Sequence, residues 1–314
     1  MKKISIITTF YNAEQFIVNA IHSIAQQIIS DDFCIEYVIV DDKSEDNSRK
    51  IIENYFNNNP ISPKLQIKLV TPKKNLGCGG ARKFGIENAT GDYFMFLDAD
   101  DYYMNKDFVV RAFNTIESEN ADIVEYGILF NHANGQQQMN KTNEKIVCEN
   151  NPLLAELLLF NDNIIKFNVW SKIYKRHIVE SFPYSTERTF EDVRTIPLWV
   201  ANAKKVVIMP SVEINYRAAS NSIIRTNMTK TRLGTITAIA SLFEIFKNEP
   251  KILKAMYKRS MVDLEAVLHN HSSNDEGFKE MSRLNTYMLS FIYPDKYKEL
   301  TYHVEDDETV EKTN

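Results

Sequence analysis

The sequence is short of cysteine, of uninterrupted apolar runs and of net positive charge, and each shortage excludes a class of protein. Cys34, Cys78 and Cys148 are its three cysteines, too few and too scattered for a disulfide framework, and none stands in a CxxC pair. A reducing, cytoplasmic setting is expected. No stretch approaches the roughly 18 consecutive apolar residues of a membrane span. The opening MKKISIITTFYN reaches Thr8, Thr9 and Asn12 before a signal-peptide core could develop. Contact with a membrane would therefore be peripheral, at its inner face. The formal net charge of -5 speaks against a nucleic-acid partner, because such domains present basic surfaces. Internal repeats and low-complexity linkers are absent as well.

What is present is ordinary globular composition, 44% hydrophobic and 25% charged, on a chain long enough to bury a substantial core. Through the first hundred residues, short β-branched runs alternate with helical patterns, the signature of βαβ units and a largely parallel sheet. Strands are predicted at 4–8, 37–40, 65–70 and 93–97. A helix is predicted from about Ala13, with Asn12 as N-cap and Gln15 three residues on, burying Ile17, Ala20, Ile21, Ile24 and Ile28. Further helices are predicted over 47–56 and 81–89. Beyond Lys106 the pattern is less regular, with strand-like runs at 123–130 and 145–148 and helical patterns at 152–160 and 190–203. From about Thr229 the chain reads as helical, with amphipathic stretches through Ala238, Leu242, Ile245 and Phe246, then 252–268 and 281–292. Their apolar faces could serve as internal core, as a membrane contact or as a homo-oligomer contact. The acidic tail from Tyr302 reads as disordered. The expected division is 1–105, 106–225, a helical region 226–300 and a tail 301–314.

In open parallel sheets, ligands bind beyond the carboxyl ends of the strands, where loops converge and helix N-termini point into the crevice. The first strand runs out in Thr8-Thr9-Phe10-Tyr11-Asn12, the second in Asp41-Asp42-Lys43-Ser44, and the fourth in Asp98-Ala99-Asp100-Asp101. A DADD run supplies the hard oxygens that Mg2+ or Mn2+ takes, usually one or two carboxylates with phosphate and water completing the shell. Taken alone, it could equally start a helix. Asp-Lys-Ser-Glu-Asp-Asn is also rich in turn formers, and Glu191 and Asp192 could simply complement a helix dipole. The run Gly77-Cys78-Gly79-Gly80 lacks GxGxxG spacing, so a Rossmann cofactor site is not expected.

ITTFYNAE (7–14), VIVDDKSEDNS (38–48), NLGCGGARKFGIENATGDYFMFLDADD (75–101) and FED (190–192) together resemble the family 2 inverting glycosyltransferases of the GT-A fold. The resemblance implies an α/β fold with a mixed, mostly parallel sheet and leaves the C-terminal helices as an appendage. It implies a UDP-sugar donor and a glycan or lipid-linked glycan acceptor, with surface polysaccharide or glycan biosynthesis as the setting. Thr9, Tyr11, Asn12 and Asp42 would hold the uridine. Arg82 would reach the diphosphate or order the acidic cluster, and Ala99 would lie beside the nucleotide. Asp100 would contact Mn2+ or Mg2+, Asp98 the ribose or the metal, with Asp101 assisting. Asp192 would be the base that deprotonates the acceptor, with Glu191 and Trp170 on the acceptor side. Ala219 stands where several relatives carry a metal-binding histidine, which leaves one ligand open. A nucleotidyltransferase would instead show a glycine-rich phosphate loop with Arg and Lys directly after the first strand, and TTFYNAEQ shows none. A glycan-binding relative that has lost its base would bury Asp192 in a salt bridge. A haloacid-type phosphatase would carry its aspartate pair near the N-terminus.

Overall fold

In the computed structural model, residues 1–132, 135, 137–149, 165–218, 228–268, 276–294 and 296 are described. They fall into two compact units, Met1–Ser222 and Ile223–Asn314. The predicted helix at 152–160, the loop with Ala219 and the tail from Tyr302 lie outside the described residues.

The first unit is built on ten strands among the described residues. They are β1 (Lys2–Phe10), β2 (Phe33–Asp41), β3 (Leu65–Val70), β4 (Tyr93–Phe96), β5 (Tyr102–Tyr103), β6 (Ile123–His132), β7 (Gln137–Asn140), β8 (Ile146–Glu149), β9 (Lys172–Lys175) and β10 (Lys205–Ala218). Their order is β3-β2-β1-β4-β9-β6-β10-β5, with β7 beside β6 and β8 beside β10. Strands β3, β2, β1 and β4 pair in parallel. Strand β9 runs antiparallel to both β4 and β6, and β10 resumes parallel pairing with β6. All nine residues of β2 are buried, an apolar run broken only by Glu36 and by Asp41 at its end, as in a strand covered on both faces. The helices here are α1 (Ile17–Ala25), α2 (Ser48–Asn58), α3 (Gly77–Glu87), α4 (Phe108–Ser118), α5 (Arg176–Ser181) and α6 (Glu191–Asn202). Beneath the carboxyl edge, Trp199 packs against Tyr174 at 5.2 Å, Tyr184 at 5.6 Å and Phe96 at 6.3 Å between ring centroids. These rings form a stiff aromatic floor.

Several expectations need correction. Asn12 is not an N-cap: it sits in the left-handed region at φ 51, and its Oδ1 accepts from Glu45 N at 2.8 Å. Helix α1 begins only at Ile17 and ends at Ala25. The Gln27 side chain binds Asn105 O and Val109 N, and Ile28 N donates to Lys106 O. That tie turns the chain away, so Ile28 is exposed. Helix α3 starts four residues before the expected Ala81, so the glycines lie inside it rather than in a preceding turn. Strands β5, β7, β9 and β10 are additions to the predicted set.

The second unit comprises α7 (Met228–Ala240), α8 (Pro250–Leu268) and α9 (Glu276–Ile292). It buries Ile236, Ile239, Phe243, Met256, Met281 and Met288. Ile245, expected on an apolar helical face, is exposed instead and lies beyond the end of α7. Among the described residues, no helix is long and apolar enough to cross a membrane.

Candidate active site

The corner between β1 and β2 is fixed by short polar side chains. Asp42 N donates to Phe10 O at 2.9 Å, Asn12 N to Ser44 Oγ at 3.1 Å, and Ala13 N to Ser48 Oγ at 2.7 Å. Thr9 is half-buried near the end of β1, opposite Val40 of β2, and Tyr11 stands exposed just beyond. Asp42 is buried, and its two carboxylate oxygens accept from Leu76 N at 2.7 Å and Gly77 N at 2.8 Å. It thus caps the start of α3, although it belongs to the end of β2. Gly77 is required there because its φ is +73, a backbone that side-chain-bearing residues rarely adopt. Burial raises the Asp42 pKa despite those two amide donors.

Helix α3 then delivers Arg82 into the interior. Its Nη2 donates to Asp98 Oδ1 at 2.5 Å, and its Nη1 to Glu191 and, at 3.4 Å, to Tyr184 Oη. Burial alone would favour the neutral guanidinium, but Asp98 leads a set of anionic neighbours that hold it charged. One cation therefore joins the end of β4 to the start of α6. Close approach is secured by Gly79, where a Cβ would collide with the carbonyl oxygens of Ser185 and Glu187. Cys78 Sγ lies 3.4 Å from Glu191 Oε1 on the same face.

Asp98 is half-buried, Ala99 buried, Asp100 open to solvent and Asp101 buried. The surrounding protein and then the charge of Asp98 push the Asp100 carboxyl up to about 6. Asp101 is raised further by its burial and by both neighbouring aspartates. Its Oδ1 accepts from Arg217 N at 2.8 Å, and its Oδ2 has no partner among the described residues. Like charges gathered this closely resist ionisation until a cation joins them. Among the described residues no three side chains form a ready-made metal cage. Mg2+ and Mn2+ need none, since one or two carboxylates with phosphate and water suffice. The cluster therefore fits such an ion, with Asp98 and Asp100 as the side chains within reach.

Asp192 lies in the first turn of α6, half-buried, with Oδ1 accepting from Val193 N at 2.8 Å. Its carboxyl is pushed up to about 7 by burial first and by Glu191 second, with Arg82 opposing. No ion pair of its own neutralises it among the described residues; the salt bridge belongs to Glu191. Phe190, which caps α6, has φ 58, a left-handed conformation that costs a bulky residue about 1–3 kcal/mol and is most often kept at functional sites. Trp170 is buried, stacked on Tyr216 at 5.3 Å with an interplanar angle of 2°. One ring face is thus already occupied. Below it, Lys172 is fully buried and binds Lys166 O at 2.8 Å and Asn168 O at 2.6 Å, which shapes the loop carrying Trp170.

The structure thus brings Asp98, Asp100, Arg82, Glu191 and Asp192 to one edge, with Asp42, Thr9, Tyr11 and Asn12 along the same row of strand ends. Sequence reasoning missed Tyr184, Phe190 and the packing duty of Gly79. Phe190 was quoted only as part of the FED motif, and Gly79 would have carried a signal only had the helix been placed four residues earlier.

A 3-2-1-4 parallel half, an antiparallel insertion and an aspartate cluster at the carboxyl edge define a GT-A-type glycosyltransferase. The chain belongs to glycosyl transferase family 2, whose model matches residues 5–179. Among curated relatives it is 25% identical to the teichoic acid poly(glycerol phosphate) polymerase of Staphylococcus epidermidis, over 94% of this chain and 43% of the polymerase. It therefore spans less than half of that relative. Its fold resembles S. aureus TarS 1-349 in complex with UDP, with a TM-score of 0.58 and 19% identity over 92% of this chain and 91% of that one. It also resembles the mannosyltransferase PcManGT of Pyrobaculum calidifontis in complex with GDP-Man and Mn2+, with a TM-score of 0.56 and 15% identity over 94% and 88% of the two chains.

Proposed function

We propose that the chain is a metal-dependent inverting glycosyltransferase. It would move a hexosyl or N-acetylhexosaminyl group from a UDP-sugar to a hydroxyl of a glycan or lipid-linked glycan during surface-polymer assembly. The observation that carries this reading is the Arg82 bridge, which holds the DADD strand end and the Glu191-Asp192 helix start at one edge. The teichoic acid polymerase among the relatives and the UDP complex of TarS support the polymer setting and the donor. The Mn2+ in the PcManGT complex supports the metal. On this reading residues 1–105 bind donor and 106–225 bind acceptor, while 226–300 form a helical appendage open to self-association or to contact with the inner membrane face.

Each residue's part follows from its chemistry. Asp42 accepts from the N3–H of uracil, with Thr9, Tyr11 and Asn12 enclosing base and ribose and Ala99 leaving room beside the nucleotide. Asp98 and Asp100 would hold a divalent cation. When bound, such an ion offsets the charge that develops on the diphosphate. Arg82 orders the cluster. The acceptor hydroxyl oxygen forms its bond to the anomeric carbon while its proton passes to the Asp192 carboxylate. The C–O bond to the diphosphate breaks on the opposite face, and its electron pair leaves with the phosphate oxygen, so configuration inverts. A base with proton affinity near 7 suits that transfer at neutral pH. Glu191 and Trp170 complete the acceptor side through Arg82 and Tyr216.

The test is a panel of nucleotide sugars scored for UDP release with Mn2+ or with EDTA, with NMR of the product's anomeric centre. UDP-sugars should turn over only with metal, with inversion, and Asp100→Ala should abolish the reaction. Turnover that ignores EDTA, or an unimpaired Asp100→Ala, would refute the metal assignment; retention would refute the role of Asp192.

A further inference from the structure

Two arginines flank the acidic edge, and their circumstances differ. Arg82 is buried, with its guanidinium already bound to Asp98, Glu191 and Tyr184. Both of its terminal nitrogens are thus engaged inside the protein. Arg217, one residue before the end of β10, is exposed and makes no ion pair among the described residues. Two separate devices nevertheless hold it in place. Its backbone N–H is bound by the buried Asp101 at 2.8 Å, and its guanidinium carbon lies 3.8 Å from the ring centroid of Phe16, at the entry to α1. Phe16 follows directly on the loop that carries Tyr11 and Asn12.

The Arg217 side chain thus lies between the β1 loop and the DADD run. An arginine fixed at the backbone and stacked on a ring loses little freedom when it binds. Its planar fork matches phosphate oxygens in pairs. A cation with no carboxylate partner among the described residues, beside a cluster of acids, is arranged for an anion that arrives from outside.

We infer that Arg217 is a binding residue for the diphosphate of the donor, kept in position by Phe16 and Asp101. The inference rests on the donor reading of this cleft and moves the direct diphosphate contact from Arg82 to Arg217. Because this contact needs no metal, part of the affinity for a nucleoside diphosphate survives chelation. Stacking on Phe16 also makes the pair cooperative, so the two side chains should not contribute independently.

Calorimetric titration of the full chain with UDP and with uridine, in Mn2+ and in EDTA, tests this. The wild type should prefer UDP to uridine even in EDTA. Arg217→Ala should weaken UDP about tenfold or more, the scale of one charge-assisted contact, and leave uridine unchanged. Arg217→Gln, which keeps most of the length without the charge, should behave likewise and guards against a folding loss. Arg217→Lys should recover part of the affinity. Phe16→Leu should weaken UDP in the wild type and add little in the Arg217→Ala background. UDP affinity unchanged in both neutral variants, with and without metal, would overturn the inference while leaving the donor site standing. A wild type that binds neither UDP nor uridine in Mn2+ would remove the donor reading and this inference with it.

Discussion

Asp192 stands at the start of a helix, next to a second acid that already has a cation. Glu191 takes the Arg82 guanidinium, and Asp192 is left with a pKa raised to about 7 by burial and by its neighbour. The proposed base must be ionised to act, so kcat/KM should rise with pH through about 7, and Asp192→Asn should flatten that limb. The variant should also lose on the order of 10²–10⁴ in kcat with UDP affinity retained, measured by turnover and calorimetry. A stability consequence carries its own sign. The folded pKa lies above the unfolded value, so the favourable contribution is full below about 3.9 and is lost as pH rises through about 7. Asp192→Asn should therefore melt above the wild type at about pH 8, and the gap should close toward pH 4. A melting difference of the opposite sign would mean that the ionised carboxylate is stabilised by a partner.

At the scale of elements, the contact between α3 and the segment leading into α6 decides whether Arg82 can reach both carboxylates. Gly79→Ala would set a methyl against the carbonyl oxygens of Ser185 and Glu187. We expect a loss of about 1–3 kcal/mol in denaturant unfolding, as for other overpacked sites, and a loss of transfer greater than that of a surface control. Strand β9 supplies a second test. Glu125 of β6 is fully buried between Lys166 at 2.8 Å and Lys172 at 3.4 Å. Glu125→Gln would leave two buried cations without their counter-ion and should cost about 3–5 kcal/mol by the same measurement. The same elements mark what could be read from the sequence. Strands β1 to β4 were legible because short, largely apolar runs ended in polar loops, and the acidic ends of β2 and β4 announced the site. Strand β9 was not, because KIYK carries lysines at both ends and Lys172 is buried only through its tertiary partners. Helix α1 was placed too early because Asn12 and Gln15 imitate a cap, whereas the left-handed turn at Asn12 serves the neighbouring loop. Arg217 was visible as a residue, but its stacking on Phe16 joins distant parts of the chain and left no trace in either neighbourhood.

At the scale of the molecule, a ligand that binds only the folded form raises its stability by mass action. At about 100 times its Kd this amounts to about 2.7 kcal/mol. UDP with Mn2+ should therefore raise the melting temperature in proportion to the logarithm of its concentration, and EDTA should reverse most but not all of that shift. A shift of equal size with GDP would show that the cleft does not discriminate the base. Discrimination is expected from how Asp42 is held. Its two oxygens are committed to the start of α3 before any nucleotide arrives, so on the proposed role the acceptor presented to the pyrimidine is fixed in direction. Cytosine, which offers a lone pair at N3 where uracil offers a hydrogen, would meet this fixed oxygen with repulsion. A variant of Asp42 meant to admit cytidine nucleotides would first have to find another way to begin the helix that carries Arg82.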